Sequence, residues 1–528
     1  MKKWKTYNSD LLGQKFDAII IGSGIGGLCT AALLALKGKR VLVLEKHFKI
    51  GGWTHTFKRH RYEWDVGIHY IGQVHKPYSP VRRLFDLITD GQLEWSYMDK
   101  NYDRIIFPDR SYNLTAPRQQ FIDDMISNFP KEESAILAYM NLLDNVASSS
   151  RSYFSQKALS GLLGSITYPF MTRKFFKHSD QTTLDVLSGL TNNHKLIGVL
   201  TGQWGDYGLP PAQSSFAMHA SVARHYLDGG NYPIGTSRRI AETISDLIED
   251  NGGVLAVNAG VKQIKTHRGV AVGVVLENGN HIEADTVISN AGVVNTIQKL
   301  LNKDIDSVSK IHTRLSTINQ TKSYVCLHLG LKKSAKELGL TNTNLWVYPG
   351  YDHDLSVEKF INDAESDYPV LYISFPSAKD SSWEDENPGR ATIEAITLSR
   401  WSWHNKWEDL DWKNRGTDYE LDKEKWTQNI LGNVLKQVPQ IESALDYKEL
   451  STPLTVRDLA NYQKGEMYGI DHSPKRFRQK WLRPKSDIKN LYFTGQDVTT
   501  VGVSSAIFSG LLTASSVLKE NLSYMLKS

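Results

Sequence analysis

Residues 16–45 read FDAIIIGSGIGGLCTAALLALKGKRVLVLE, and this stretch decides the fold of the 528-residue chain. Its apolar run 18–21 is typical of a buried parallel strand, and it ends at three glycines with the G-x-G-x-x-G spacing. Gly22 allows the tight turn, Gly24 lets the backbone approach a pyrophosphate, and Gly27 lets the next helix pack on its strand. The stretch therefore predicts a dinucleotide-binding turn.

The residues after this turn complete the dinucleotide-binding unit. A helix over 28–36 has its N-terminus at the turn, where free N–H groups and the positive end of the helix dipole face the phosphates. A second strand over 40–44 ends at Glu45, about twenty residues past the glycines, where an acid accepts hydrogen bonds from a ribose. We therefore predict these cofactor contacts: Gly22, Gly24, Ile25, Gly26, Gly27, Glu45 and Lys46.

Length and charge narrow the class of protein. The chain exceeds the roughly 250 to 300 residues at which a single core stops growing, so at least two domains are expected. A net charge of +5 is too small to indicate nucleic-acid binding. The two cysteines, Cys29 and Cys326, imply no disulfide framework and favour a reducing compartment. Because residues 4–15 are polar and do not suit a signal peptide, we expect a cytoplasmic protein, with peripheral membrane contact left open.

A glycine doublet, Gly51-Gly52, follows soon after the acid that ends the second strand. In flavin-binding members of the dinucleotide folds such a doublet brings backbone close to the cofactor, whereas NAD-binding domains generally lack it. The doublet therefore favours FAD. The sequence carries one dinucleotide fingerprint, so a built-in NAD(P)H domain is not predicted, and the electrons are expected from a transient donor such as NAD(P)H or from another protein.

The segments around this doublet resemble the retinol saturases (all-trans-retinol 13,14-reductases), within the wider phytoene desaturase and carotenoid isomerase superfamily. These segments are EKHFKIGGWTHTF (45–57) and EWDVGIHYIG (63–72). Further matching stretches are SSFAMHASVARHYLDGGNYPIGTSRRI (214–240), ISNAG (288–292), FPSAKDSSWEDENPG (375–389), TPLTVRDLANYQKGEMYGIDHSPKRF (452–477) and WLRPKSDIKNLYFTGQDVTTVGVSSAIFSGLL (481–512). The resemblance covers most of the chain, and residues 110–206 and 303–363 are its least family-like parts.

The resemblance implies an α/β fold with a Rossmann-type FAD-binding domain and a discontinuous α+β substrate domain. The first domain is expected to be glutathione-reductase-like, of the amine-oxidase and phytoene-desaturase type, and to comprise 16–110, 226–298 and 486–525. The substrate-binding or lid domain is expected over 111–225 and 299–485. Within these segments the sequence pattern itself predicts helices over 237–249 and about 503–518 and strands over 254–258, 261–265, 270–276 and 281–288.

The resemblance also implies how further residues hold the cofactor. The backbone of Val261 contacts the adenine, and Asp497, after the turn at Gly495, holds the ribityl chain or the pyrophosphate. The helix that begins at Gly502 and Val503 points its N-terminus at the pyrimidine side of the isoalloxazine, where its positive end stabilises the anionic reduced flavin. FAD is expected to be bound without a covalent link, and no metal site is predicted.

Members of this superfamily move a hydride between flavin N5 and one carbon of a conjugated polyene, with a proton exchanged at the next carbon. The motifs DVGIHYIG, FPSAKD and LYFTGQD are closer to the saturases than to the desaturases, so we expect saturation of a retinoid-like or carotenoid-like double bond. Desaturation and cis-trans isomerisation are the alternatives on the same scaffold. An alternative of another class is non-enzymatic escort of isoprenoid lipids, because Rab escort and GDP-dissociation-inhibitor proteins share this architecture.

His69 and Tyr70 are the candidates to deliver the proton. They follow Asp65 and Gly67 in a family-like segment and are expected to line the site. The alternative for His69 is a structural role, in which its ring forms a hydrogen bond with a backbone carbonyl.

Residues 153–177 combine Tyr, Phe, Leu and Ile with Lys and Arg and contain no acid. They follow a helical pattern over 119–145 and a serine-rich break over 147–152. The composition indicates an interfacial helix whose apolar side enters a lipid surface while its cations meet the headgroups. The alternative is a cap over an apolar substrate tunnel.

Two further runs each have more than one interpretation. The run 401–407 contains three tryptophans, which either line a site for a flat apolar ligand or pack between helices. The basic run KRFRQK, 475–480, is most commonly a solvated face. The alternatives are that it binds anionic lipid or the phosphates of a nicotinamide donor.

Overall fold

The first sheet carries the dinucleotide-binding unit. A computed structural model describes residues 4–159, 161–302 and 312–527 of the chain. Among these residues, a seven-stranded sheet has a parallel core and an antiparallel extension at one side. Its strands, in spatial order, are Val254–Ala256, Val41–Leu44, Phe16–Ile21, His281–Ser289, Val270–Leu276 and Val261–His267, and Leu491–Phe493 also pairs with His281–Ser289.

Buried apolar residues explain why the predicted unit lies at the centre of this sheet. The strands Phe16–Ile21 and Val41–Leu44 are buried along nearly their whole length, as parallel strands covered on both faces are. The helix Ile25–Leu36 is apolar all round because it packs between the sheet and the helices Arg238–Asp250 and Val503–Leu518. The predicted order of strand, turn, helix and strand is confirmed.

A second sheet forms the substrate domain. Its strands, in spatial order, are Leu445–Ser451, Ser323–Leu331, Ala391–Ser399, Leu371–Ser374, Asn344–Val347, Asn101–Ile106 and Ser111–Thr115. The strand Asn101–Ile106 pairs with Asn344–Val347, although the expected first segment of the FAD-binding domain extends to residue 110. The pairing therefore places that boundary before Asn101. Residues 303–311 of the expected substrate domain lie outside the described residues.

A helical layer packs against the second sheet around an aromatic core. Its helices are Arg118–Asn128, Glu133–Ala158, Gly161–Ser179, Thr183–Ser188, His194–Leu200 and Phe216–Tyr226. The expected break at 147–152 is wrong, because the helix Glu133–Ala158 runs through it. The Ser149 hydroxyl donates to the Asn145 carbonyl at 2.9 Å, and other hydroxyls of the run do the same one turn back, so the serines are satisfied inside the helix.

The remaining described elements are shorter or lie at the edges of the two domains. The other helices are Pro80–Thr89, Val293–Asn295, His353–Asn362, Pro376–Lys379, Trp383–Glu386, Trp401–His404, Thr417–Gln437, Pro453–Ala460 and Pro474–Phe477. Two small sheets pair Thr56–Arg59 with Tyr62–Asp65, and Gly230–Pro233 with Ile71–Gly72 and Trp95–Tyr97. Among the helices of the described residues, none combines the length and the apolar character that a membrane crossing requires.

The tryptophan-rich run packs inside the substrate domain. Trp403 meets Phe360 edge-on with ring centroids 5.3 Å apart and also lies beside Trp426. Trp407 is buried against Tyr419. These contacts support the helix-packing interpretation of the run.

Candidate cofactor site and active site

The candidate cofactor site lies where the parallel strands of the first sheet end. Gly22, Glu45 and Asn290 each directly follow the last residue of a strand, and Gly495 follows Leu491–Phe493 by two residues. Because the carboxyl ends of parallel strands meet at one edge of a sheet, residues distant in sequence come together there.

The glycine turn has the geometry that its spacing predicts. Gly22 has a φ of +88°, which favours glycine. A Cβ at Gly27 would lie 2.5 Å from the Gly22 carbonyl oxygen, and a Cβ at Gly26 would lie 2.8 Å from the backbone of Gly495. The helix Ile25–Leu36 has Gly24 as its N-cap and no side-chain capping bond, so its first N–H groups are free of side-chain acceptors.

The glycine doublet packs directly on this turn. The Gly51 N–H donates to the Ser23 carbonyl at 3.2 Å, and a Cβ at Gly52 would lie only 3.0 Å from the Gly24 Cα. Glu45 accepts hydrogen bonds from the Ser23 N–H at 2.8 Å and from its hydroxyl at 2.6 Å. Turn, doublet and acid therefore form one rigid cradle.

Asn290 occupies the centre of this cradle. A Cβ at Gly24 would lie 2.5 Å from its Nδ2, and a Cβ at Gly495 would lie 2.7 Å from its Oδ1. The sequence analysis quotes ISNAG (288–292) as a family-like stretch but gives this side chain no role. Its signal was a polar residue directly after the buried end of the strand His281–Ser289.

The other predicted cofactor residues surround the same edge. Asp497 is buried and accepts hydrogen bonds from the N–H groups of Val293 at 2.8 Å and Ile470 at 3.3 Å. Gly502, with a φ of +95°, is the N-cap of the helix that begins at Val503, and this helix also lacks a side-chain capping bond. The contact of Asp497 with the ribityl chain or pyrophosphate stays a prediction.

Two further predicted residues are Val261, expected to contact the adenine, and Lys46. Val261 opens its strand and is half-buried, close to Ala259, whose N–H donates to the Glu45 carbonyl at 2.8 Å. Lys46 is exposed and its ammonium lies 3.1 Å from the carboxylate of Glu277. The structure therefore places Val261 two residues after a backbone contact with Glu45 and Lys46 at the surface, and their contacts with the cofactor stay predictions.

The cradle fits FAD. Its glycines let the turn, the doublet and the Gly495 segment pack backbone to backbone with no side chain between them, as a pyrophosphate-binding turn requires. Two helix N-termini without side-chain caps supply N–H groups and positive potential for its charge.

His69 lies beside this cradle on a buried polar cluster. Its segment packs on the residue after the doublet, because a Cβ at Gly67 would lie 3.0 Å from the Trp53 ring. The Nδ1 of His69 is 2.9 Å from the Glu394 carboxylate, and the His69 side chain keeps 17% of its surface exposed. Burial and the charge of Lys379 lower the pKa of His69 to about 3, so its ring is neutral at physiological pH. The ring nitrogen therefore faces a carboxyl group and not a backbone carbonyl.

Tyr70 points into a different part of the cluster. Its hydroxyl lies 2.8 Å from the Asp103 carboxylate and 3.3 Å from that of Asp206, and its ring stacks on Tyr226. Burial and these two acids raise the pKa of Tyr70 well above its ordinary value. The phenol is therefore fully protonated and directed at the two carboxyl groups.

Sequence reasoning missed Lys379 and Glu394, two buried groups that complete the cluster. The Lys379 ammonium donates to the His69 carbonyl at 2.9 Å and to the Ser374 hydroxyl at 2.7 Å, and burial lowers its pKa to about 8. Burial raises the pKa of Glu394 to about 8, although the charge of Lys379 opposes the rise. Both groups therefore hold a proton at neutral pH. The signal for Glu394 was a single acid in the otherwise uncharged strand Ala391–Ser399.

Comparison with known proteins assigns the chain to a family. A family model described as flavin containing amine oxidoreductase matches residues 25–518. The chain belongs to this family. The all-trans-retinol 13,14-reductase of Danio rerio is 35% identical over 96% of this chain and 87% of its own length. The chain is therefore also a member of the retinol reductase group, which confirms the resemblance seen in its motifs.

Other members of the superfamily are more distant. A Danio rerio protein named inactive all-trans-retinol 13,14-reductase is 30% identical over 97% of this chain and 87% of its own length. The prolycopene isomerase of Daucus carota is 26% identical, with 95% and 80% covered. A solved putrescine oxidase structure has a TM-score of 0.63 at 14% identity, covering 96% of this chain and all of that one, which shows a shared fold.

Family membership defines the chemistry of the cradle. The protein is a flavin-dependent oxidoreductase and FAD is its cofactor, as the glycine doublet predicted. The expected fold class is confirmed as well. The alternative of a lipid escort without flavin chemistry is not supported.

Proposed function

We propose that this flavoprotein saturates one carbon-carbon double bond of a conjugated apolar polyene of the retinoid or carotenoid kind. The observation that carries the proposal is the full-length similarity to retinol reductases, at 35% identity against 26% for a prolycopene isomerase. Isomerisation is the second candidate, because that isomerase also covers 95% of this chain.

Saturation adds a hydride to one carbon of the double bond and a proton to its neighbour. FAD, when bound in its reduced form, supplies the hydride. The chain must then supply the proton from a group that is protonated at neutral pH and lies close to the cofactor cradle. His69 keeps exposed surface, whereas Lys379 and Glu394 are buried, but with a pKa of about 3 His69 carries no proton beyond its neutral N–H.

A proton relay through His69 explains how a neutral imidazole can deliver the proton. The protonated Glu394 carboxyl faces the Nδ1 of His69 at 2.9 Å. As His69 gives its Nε2 proton to the substrate carbon, its Nδ1 takes the proton of Glu394. The Lys379 ammonium stabilises the carboxylate that remains, and water then reprotonates it. Tyr70 is not used, because its hydroxyl is directed at Asp103 and Asp206.

Product analysis tests this assignment. The holoenzyme is reduced without oxygen and incubated with all-trans-retinol or a short carotenoid, and the product is analysed by mass spectrometry. We expect a product heavier by two hydrogens. A mass-neutral geometric isomer would move the assignment to the isomerase, and unchanged substrate with both lipid classes would contradict the proposed function.

A further inference from the structure

The helix Gly161–Ser179 has one side that packs into the protein. Its Phe175 is buried and stacks on Tyr153 with ring centroids 4.1 Å apart, and Phe176 and Thr172 are buried as well. This side therefore has the role of a cap over the aromatic core. Tyr153, expected to be part of the interfacial segment, belongs to the core instead, and residue 160 of that segment lies outside the described residues.

The other side of the same helix exposes large apolar side chains. Leu162 is 78% exposed, Leu163 60%, Ile166 58% and Phe170 79%. At about 100° per residue, these four positions fall within an arc of roughly 100°. Packing in the core does not explain them, and an apolar cluster of this kind marks an interaction site.

Cations continue this face toward the end of the helix. Arg173, Lys174 and Lys177 are exposed and, by the same helical geometry, lie on the side of the apolar cluster. The helix contains no acid. Exposed apolar side chains therefore occupy its first half and exposed cations its second half.

The basic run 475–480 lies alongside this helix. The Lys480 ammonium is 4.3 Å from the centre of the Tyr168 ring, and the Arg478 guanidinium is 3.8 Å from that of Phe176. Arg478 also forms an ion pair with Asp180, the acid that directly follows the helix. Tyr168 and Phe176 lie outside the arc of the apolar cluster, so the run flanks the helix and is not part of the exposed face.

We propose that this outer face docks on the surface of an anionic lipid bilayer. Its apolar end enters the boundary between headgroups and acyl chains, and its cations meet the lipid phosphates. A second copy of the chain fits less well, because a two-fold contact through this face would set its cations against each other or against the apolar end. The outer face consists of Leu162, Leu163, Ile166, Phe170, Arg173, Lys174 and Lys177.

Sedimentation of the FAD-loaded protein with vesicles tests the docking face independently of catalysis. The vesicles contain phosphatidylcholine with or without phosphatidylserine. One variant carries Leu162→Ser, Ile166→Ser and Phe170→Ser, and a second carries Arg173→Glu, Lys174→Glu and Lys177→Glu. The matched control is Lys332→Glu, Lys333→Glu and Lys336→Glu, which reverses three exposed lysines of another segment.

We expect the wild type and the control to bind vesicles that contain phosphatidylserine, more weakly as salt rises. The charge-reversal variant should bind at least tenfold more weakly, since each cation near the surface contributes about fivefold. The serine variant should weaken binding by at least tenfold as well, because it removes the apolar side chains that enter the bilayer. Because all substituted positions are exposed, FAD content and circular dichroism should be unchanged. The proposal would be overturned if the wild type stayed in the supernatant or if the outer-face variants bound vesicles as tightly as the wild type. It would also be overturned by a concentration-dependent dimer that these variants abolish.

Discussion

Gly24 is the glycine of the turn at which the pyrophosphate is predicted to approach the backbone. A Cβ there would lie 2.5 Å from the Asn290 amide, so a larger side chain must displace Asn290 from the cradle. We predict that Gly24→Val purifies without FAD, measured as flavin absorbance per protein. The control is Gly432→Val, in the helix Thr417–Gln437, where an added Cβ meets nothing within 4 Å. Full flavin content in Gly24→Val would show that the turn does not hold the cofactor.

Glu394 is the predicted store of the transferred proton. Glu394→Gln keeps the shape of the side chain but removes the acidic proton beside His69, so we expect the saturation rate to fall by about 10² to 10⁴. FAD content and reduction of the flavin should not change, because the group acts only on the proton. Glu442→Gln, at an exposed acid, is the control and should keep the full rate. A full saturation rate in Glu394→Gln would exclude the relay.

The relay also predicts how activity depends on pH. Lys379 and Glu394 both have a pKa of about 8, so both are protonated below this pH and lose their protons above it. We expect the rate to fall as pH rises through about 8. The positive charge of Lys379 lowers the pKa of Glu394, so Lys379→Met should move the falling limb to higher pH. A limb that stays in place would show that the two groups are not coupled.

At the scale of elements, Arg476 organises the turn before the helix Val503–Leu518. Its guanidinium is buried and donates to the carbonyls of Ile470 and Gln496 at 2.6 Å and of Thr499 at 3.1 Å. The solvated-face interpretation is therefore wrong for this member of the basic run. We predict that Arg476→Ala lowers the free energy of unfolding by on the order of 3 kcal/mol, because buried carbonyls lose a charged donor.

Denaturant unfolding of the FAD-free protein checks the role of Arg476. The control is Arg478→Ala, whose side chain is exposed and whose ion pair with Asp180 lies at the surface. It should change the free energy of unfolding by less than about 1 kcal/mol. Equal losses in the two variants would contradict the structural role of Arg476.

The elements that sequence predicted well are those whose pattern is local. The helix Val503–Leu518 has the predicted bounds, because a glycine precedes it and its apolar face is continuous. The serine run in the helix Glu133–Ala158 was misread, since hydroxyls that favour turns also bond within a helix when tertiary packing supports it. Local composition does not tell these two outcomes apart.

The polar cluster could not be predicted from the sequence, because the pairing of strands that are distant in sequence brings its residues together. Glu394 pairs with Ser374 on one neighbouring strand and with His328 on the other, and Lys379 follows the first of these strands. His69 lies 310 residues before Lys379, which donates a hydrogen bond to its carbonyl. FPSAKD is a family-like motif of the sequence, but nothing in the sequence indicates that its lysine is buried.

On the scale of the whole molecule, the candidate active site draws its residues from both sheets. The glycine cradle comes from the first sheet, whereas Glu394 comes from the second and His69 from a segment that joins them. The strand Asn101–Ile106 belongs to the second sheet, in which it pairs with Asn344–Val347. Its Asp103 accepts from Tyr70 and so ties the joining segment to the substrate domain.

The central claim, saturation coupled to the flavin, is tested most directly by a single-turnover experiment. The FAD-loaded protein is reduced without oxygen and mixed with one equivalent of all-trans-retinol, while flavin absorbance and product mass are followed together. We predict that one flavin is reoxidised for each product that gains two hydrogens. Product that forms while the flavin stays reduced, or flavin that reoxidises without a saturated product, would contradict the claim.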